Sequence, residues 1–205
     1  MKAESIVFAI AGMCFGVILG WVIATQQVGS RPVAAPAAQA AAATQGTGAR
    51  QAPPLDDAKV QSLTTILKSD PKNIGATVQL ANTYFDAERY TDAIQYYEQA
   101  LTLKPDDPDA STDLGVSYYY TGQTDKALQQ FDKSLKINPK HTKTMLNQGI
   151  VLAFGKRDLA AAAEAWKQVV DLAPDSPEGQ AAKRGLEGIA AAGNHTAETP
   201  PQPPS

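Results

Sequence analysis

A repeat of 34 residues is the feature that most limits the folds open to this chain of 205 residues. A unit of this length cannot bury its apolar face alone, so successive copies must pack against one another. In the first two copies Leu80 pairs with Leu114, Ala81 with Gly115, Tyr84 with Tyr118, Ala93 with Ala127, Tyr97 with Phe131, Leu101 with Leu135 and Pro105 with Pro139. The third copy carries the equivalent residues Gly149, Leu152, Ala162, Trp166, Val170 and Pro174, and the spacing places one extra residue in a turn from Gly155 to Asp158.

Each copy is predicted to form two helices, because apolar residues recur at helical spacing in both of its halves. Proline ends each second helix, since it lacks the backbone donor and its ring clashes with the preceding turn. Asp107 and Ser176, each followed by proline, are predicted to cap the helices that follow them. The two stripes of the first copy are Thr77, Leu80, Ala81 and Tyr84, then Ala93, Tyr97, Ala100 and Leu101.

These residues resemble the tetratricopeptide repeat (TPR) family, in which Leu-Gly and an aromatic mark the first helix and Ala, a large aromatic and Pro mark the second. The resemblance implies an all-α fold, a TPR α-solenoid of helix-turn-helix repeats with flanking helices at both ends. Roughly three repeats are the minimum for a stable stack, so both flanking helices are expected to be needed. The predicted TPR domain covers residues 55–192, with a helix at 55–69, repeats at 74–107, 108–141 and 142–176, and a cap helix at 177–192.

The N-terminus is predicted to hold one transmembrane helix, within residues 1–25. Residues 6–25 carry no charge and, as a helix, would span about 30 Å, the thickness of a hydrocarbon core. A cleaved secretory signal is the alternative, with small or branched residues at Val22 to Ala24. Lys2 before the span and Arg31 after it slightly favour a cytoplasmic N-terminus, which places the rest of the chain outside the cytoplasm.

Three glycines in this span, Gly12, Gly16 and Gly20, fall on one helix face and predict transmembrane helix pairing, which would give a homodimer. Glycine is also common in membrane helices that do not pair, so a single helix remains the alternative. Residues 26–54 are rich in Ala and Pro and are predicted to be a disordered tether. Residues 193–205 are predicted to be a disordered tail.

Composition excludes several classes of function. The chain has 18 Lys and Arg against 21 Asp and Glu, a formal net charge of -3, so nothing favours binding to nucleic acid. A single cysteine, Cys14, and two histidines cannot build a usual zinc site. No nucleophile with a base and no glycine-rich phosphate loop is recognisable. We therefore expect no catalytic residue, no metal site and no cofactor, and we assign Asp106, Asp107 and Asp109 to a solvated turn with helix-capping roles.

Binding of a client protein or peptide is the function that remains. The resemblance implies that the first helices line the concave side, and a Lys and Asn there grip a terminal carboxylate in chaperone-binding TPR proteins. Asn82 fits that pattern, but Val78 stands where the lysine would be, so we expect a helical or apolar client segment and weak salt dependence. Packing against neighbouring helices is the alternative role for these side chains. The predicted peptide-binding residues are Val78, Asn82, Phe85, Thr112, Val116, Tyr119, Leu146, Ile150 and Phe154.

Anchor, tether and TPR stack together resemble membrane-bound TPR proteins of bacterial envelopes, including those of cytochrome c maturation. The resemblance implies a non-enzymatic adaptor in the bacterial inner membrane, with its TPR domain in the periplasm. Translocon-associated chaperone factors and cell-division or envelope-assembly TPR proteins share this layout. A structural, self-assembling scaffold is the alternative from another class.

Overall fold

The computed structural model describes residues 52–197, with side chains described to residue 192. The predicted anchor with its three glycines, nearly all of the tether and the end of the tail lie outside the described residues. Among the residues described, no helix combines the length and the apolar character needed to cross a membrane.

Between residues 52 and 197 the chain forms eight α-helices and no strand. Three helix pairs make up the repeats, one helix precedes them, and one follows. A π-helical segment, Val151–Lys156, continues the first helix of repeat three. The helices are α1 (Asp57–Ser69), α2 (Ile74–Asp86), α3 (Tyr90–Leu103), α4 (Pro108–Tyr120), α5 (Thr124–Ile137), α6 (Thr142–Ile150), α7 (Leu159–Leu172) and α8 (Pro177–Ala197).

Short polar side chains begin five of these helices. Each accepts a hydrogen bond from a backbone N–H of the first turn, which otherwise has no partner within the helix. Asp107 and Ser176 act in this way, as their sequence context predicts. The caps are Asp56, Asn73, Asp107, Asp158 and Ser176, with donor–acceptor distances of 2.9 to 3.1 Å.

The core of each repeat lies between its two helices, where a small residue faces a large aromatic ring. In repeat two, a Cβ added at Gly115 would lie 2.5 Å from Cε1 of Phe131, so only glycine fits beside that ring. In repeat three Trp166 is 3% exposed, and its indole N–H donates to the carbonyl oxygen of Leu146 at 3.1 Å. The predicted register of the repeats therefore agrees with the packing observed.

The extra residue of repeat three lies in the first helix, so its predicted location in the turn was wrong. In repeats one and two the N–H before the second helix bonds the carbonyl five residues earlier, as from Gln123 to Tyr118 at 2.8 Å. In repeat three the equivalent bond, from Asp158 to Leu152 at 2.9 Å, spans six residues. The π-helical segment absorbs the added residue there, and the turn keeps its left-handed residue, Arg157, at φ 58°.

Candidate peptide-binding site

The predicted binding residues divide into two groups by exposure. Thr112, Leu146 and Ile150 are buried, with exposed fractions of 0%, 7% and 8%, so they offer little or no surface to a client. The other six are partly exposed. They are Val78, Asn82, Phe85, Val116, Tyr119 and Phe154.

Thr112 is buried because its hydroxyl belongs to a polar network between repeats two and three. It donates to the carbonyl of Pro108 at 2.6 Å, and it lies 2.6 Å from the Thr144 hydroxyl and 3.1 Å from that of Ser134. Nδ1 of His141 is 2.6 Å from the same Thr144 oxygen. Buried hydroxyls are stable only when they are bonded in this way, so Thr112 joins α4, α5 and α6 and does not belong to a binding surface.

Leu146 and Ile150 are buried because they belong to the hydrophobic cluster of repeat three. This cluster includes Trp166 and Ala182, and Ala182 is supplied by the cap helix α8. Phe154 packs against the same cluster while remaining partly exposed. Leu146 and Ile150 therefore pack against neighbouring helices, the alternative role given for them above.

Asn82 is held in a fixed orientation on α2. The buried hydroxyl of Tyr97 donates to its Oδ1 at 2.7 Å, and burial raises the pKa of Tyr97 far above its usual value, so this hydroxyl keeps its proton. No described residue accepts from the amide nitrogen of Asn82, which leaves two N–H donors for water or a ligand. Phe85, one turn further along, packs edge-on against Tyr97 with ring centroids 6.3 Å apart.

Val116 and Tyr119 lie on α4 and pack at the edge of a cluster formed by Ala127, Phe131 and Val151. The ring of Tyr119 is close enough to the π-helical segment that a Cβ added at Gly155 would lie 3.0 Å from it. Both side chains therefore expose part of their surface to solvent while the rest packs against this buried cluster.

Charged residues on the same helices were missed by the sequence analysis. Nζ of Lys143, in the first turn of α6, lies 2.8 Å from Oδ1 of Asp113 and 3.8 Å from Oδ1 of Asp109, both on α4. Asp109 also lies 3.4 Å from Nε2 of His141, so its role goes beyond the solvated turn assigned to it. Asp109 and Lys143 are 34 residues apart, so the repeat itself held a signal that these opposite charges face each other.

Burial and pairing act against each other in this ion pair. Burial raises the pKa of the Asp113 carboxyl, and the Lys143 ammonium offsets part of that rise. Burial alone would lower the pKa of Lys143, but Asp113 and Asp109 raise it overall. Each partner therefore favours the charged form of the other, and the ammonium group of Lys143 lies closer to Asp113 than to Asp109.

We define the first-helix face as a set of eight partly or fully exposed residues on one side of α2, α4 and α6. Asp86, at the end of α2, belongs to it and has no hydrogen bond or ion-pair contact with a described residue. Burial raises the pKa of Asp86, and the distant charges of Lys59 and Lys143 offset only part of that effect. The face consists of Val78, Asn82, Asp86, Asp109, Asp113, Val116, Lys143 and Asn147.

Residues 78–142 match a family model described as tetratricopeptide repeat. The described region is a TPR solenoid. Proteins with the TPR fold are generally non-enzymatic scaffolds that bind client peptides or proteins. Among residues 52–192, no group of three or more His, Cys, Asp or Glu side chains could hold a metal ion.

Curated relatives share this repeat over a small part of their length. The chain is 31% identical over 96 residues to the protein CTR9 homolog of Arabidopsis thaliana, covering 46% of this chain and 9% of that protein. It is 33% identical over 100 residues to the BBSome complex member BBS4 of Bos taurus, covering 49% of this chain and 19% of that protein. The likeness to these larger proteins is therefore a likeness of the TPR region.

Solved TPR structures match the fold along most of the described residues. The Sgt2 TPR domain from Aspergillus fumigatus is 26% identical, with a TM-score of 0.56, covering 64% of this chain and 88% of that chain. The first TPR of Spaghetti (RPAP3), bound to the HSP90 peptide SRMEEVD, is 22% identical, with a TM-score of 0.54 over 61% of this chain and 96% of that chain. MamA is 17% identical, with a TM-score of 0.54 over 68% of this chain and 90% of that chain. The RPAP3 and MamA structures show the fold alone.

Proposed function

We propose that this TPR protein is a non-enzymatic adaptor that binds a segment of a client protein on its first-helix face. The observation that carries the proposal is that polar and apolar groups on this face are fixed in position by contacts with the residues packed behind them. Tyr97 orients Asn82, and Asn82 lies one helical turn from Val78 on α2. Groups that are already ordered lose little entropy when a ligand binds, which favours affinity.

A known TPR complex supports peptide binding as the mode of action. The RPAP3 domain carries an HSP90 peptide, SRMEEVD, and its fold matches most of the described residues here. The present chain has Val78 where a chaperone-binding TPR protein would place a lysine, so its client differs from a peptide with an acidic terminus. A helical or extended segment with apolar residues fits Val78 and Val116.

We also propose that residues 6–25 anchor the protein in the inner membrane of a bacterium, with the TPR domain in the periplasm. The uncharged length of this segment supports the anchor, and Lys2 and Arg31 support the orientation. Cytochrome c maturation is the pathway we propose first. Translocon-associated and cell-division roles, and self-assembly through the three glycines of the span, remain alternatives.

A photo-crosslinking amino acid in the full chain tests the adaptor role in intact cells. We place it at Val78, on the first-helix face, and, as a matched control, at the exposed Lys133 on α5. The proposal requires a specific protein to be captured from Val78 and not from Lys133. Equal capture at both positions, or none at Val78, would argue against this face as the binding site.

Protease added to spheroplasts tests the orientation separately. The TPR domain should be digested while a cytoplasmic marker protein stays intact. Protection of the domain until the inner membrane is broken would contradict the periplasmic assignment.

A further inference from the structure

We infer that the client segment is cationic, and that the first-helix face selects an apolar segment carrying Lys or Arg side chains beside its apolar residues. This inference rests on the proposed adaptor function and names the chemistry of its client. It departs from the weak salt dependence that the sequence analysis predicted.

The first-helix face and its surroundings carry mostly acidic charged side chains. Three carboxylates, of Asp86, Asp109 and Asp113, lie on the face. Two ammonium groups, of Lys143 and Lys59, lie close enough to interact electrostatically with these carboxylates. Glu178, at the start of α8, adds a fourth carboxylate near Lys143, so acidic side chains outnumber lysines in this region four to two.

The one lysine of the first-helix face, Lys143, is already engaged in an ion pair. Nζ of Lys143 contacts Asp113 at 2.8 Å, so this lysine mainly compensates a carboxylate of its own domain. Asp109, whose side chain is 69% exposed, has only longer contacts, at 3.8 Å to Lys143 and 3.4 Å to His141. Asp86 has no contact of this kind. Two carboxylates therefore remain available to a ligand, on two neighbouring first helices.

An approaching client would remove water from the carboxylates of the face, at a cost in free energy. A segment lying over Val78 and Val116 displaces water from Asp86 and Asp109, and a carboxylate that loses water without gaining a partner is destabilised. Asp86 is already partly desolvated, since burial raises its pKa. A Lys or Arg side chain on the client would offset the cost with a charge-assisted hydrogen bond, whereas an Asp or Glu would increase it.

The acidic peptide of the RPAP3 complex illustrates the difference. SRMEEVD carries three carboxylate side chains and one arginine, and here it would face Asp86 and Asp109. Discrimination through like-charge repulsion needs no new contact, because the cost of the wrong partner supplies the specificity. The geometry therefore favours a client of opposite charge.

The experiment uses two synthetic helical peptides with identical apolar positions, one with Lys at every polar position and one with Glu. Binding to the full chain in a neutral detergent is measured by fluorescence anisotropy at two salt concentrations. We expect the Lys peptide to bind more tightly, and the difference to shrink at the higher salt concentration because ions screen exposed charges.

Neutral variants locate the effect. Asp86→Asn and Asp109→Asn should each weaken binding of the Lys peptide about two- to fivefold, the range expected for a partly exposed ion pair. Asp171→Asn removes the same charge from the exposed side of α7 and should leave binding unchanged. Circular dichroism checks that all three variants keep their helix content.

Equal affinities for the two peptides, tighter binding of the Glu peptide, or equal effects of all three variants would each overturn the inference. So would failure of both peptides to bind. The crosslinking at Val78 decides independently whether the adaptor function stands, so the two proposals can fail separately.

Discussion

Replacing Gly149 by alanine tests the packing of Trp166. Close packing predicts a loss of stability, whereas helix propensity alone predicts a gain. Gly149 lies on α6 beside the indole ring. A Cβ there would stand 2.5 Å from Cδ1 of Trp166 and closer still to Nε1, well inside ordinary contact distance. The ring cannot shift freely, because its N–H donates to the carbonyl of Leu146 at 3.1 Å and its other edge lies against Gly185.

The expected change in the free energy of unfolding has three parts. Helix propensity alone would stabilise Gly149→Ala by about 1 kcal/mol. Overpacking a filled core costs about 1 to 3 kcal/mol, and weakening the indole hydrogen bond costs about 1 kcal/mol more. We therefore expect a net loss of about 1 to 3 kcal/mol.

Urea unfolding followed by far-ultraviolet circular dichroism measures this loss. Gly75→Ala is the matched control, because its nearest neighbour to an added Cβ is the Asn73 side chain at 3.5 Å, and it should be neutral or slightly stabilising. Combining Gly149→Ala with Trp166→Leu should show a favourable coupling between the two changes, since the smaller side chain relieves the clash. If Gly149→Ala alone raises stability as much as Gly75→Ala does, the close packing of Trp166 against α6 is refuted.

Three further predictions concern a turn, a tyrosine and the buried network. Gly122→Ala should lower stability by about 1 kcal/mol through backbone strain alone, because Gly122 has φ 78° and no atom lies within 4 Å of an added Cβ; unchanged urea unfolding would disprove this strain. Burial and the hydrogen bond to Glu98 raise the pKa of Tyr118 to about 12, so the folded state holds this proton more tightly than the unfolded state, and stability should fall as pH rises from about 10 through 12. Glu98→Gln should bring the pKa of Tyr118 closer to 10 in an ultraviolet titration. Thr112→Val keeps the shape but removes a hydroxyl from the network with Ser134, and it should cost about 1 to 3 kcal/mol in thermal or urea unfolding; a neutral result would mean that the network contributes little.

The repeat made the fold predictable, because its period fixes which residues must face one another. Leu80, Ala81, Ala93 and Tyr97 were assigned to the core from spacing alone, and all four are buried. The extra residue of repeat three was assigned to the wrong element. Spacing between Gly149 and Ala162 shows that one residue is added but does not show which backbone hydrogen bonds absorb it.

The binding face was less predictable, because exposure depends on what the neighbouring elements cover. Nothing in the local pattern of Leu146 distinguishes it from Val78, yet the cap helix α8 contributes to the cluster that buries Leu146. Thr112 is buried through hydroxyl partners on two other helices. Lys143 and Asp113 could have been found by comparing charges at equivalent repeat positions, a comparison that a search for apolar stripes does not make.

The π-helical segment shows how a repeat array can change length without losing its order. One residue added to an ordinary helix would rotate everything beyond it by about 100°, which would turn the next core stripe toward solvent. Here the surplus is confined to Val151–Lys156, and Ala162 and Trp166 still occupy the interior. Single-residue insertions or deletions at this point should therefore be tolerated in engineered variants, whereas the same changes within α7 should not.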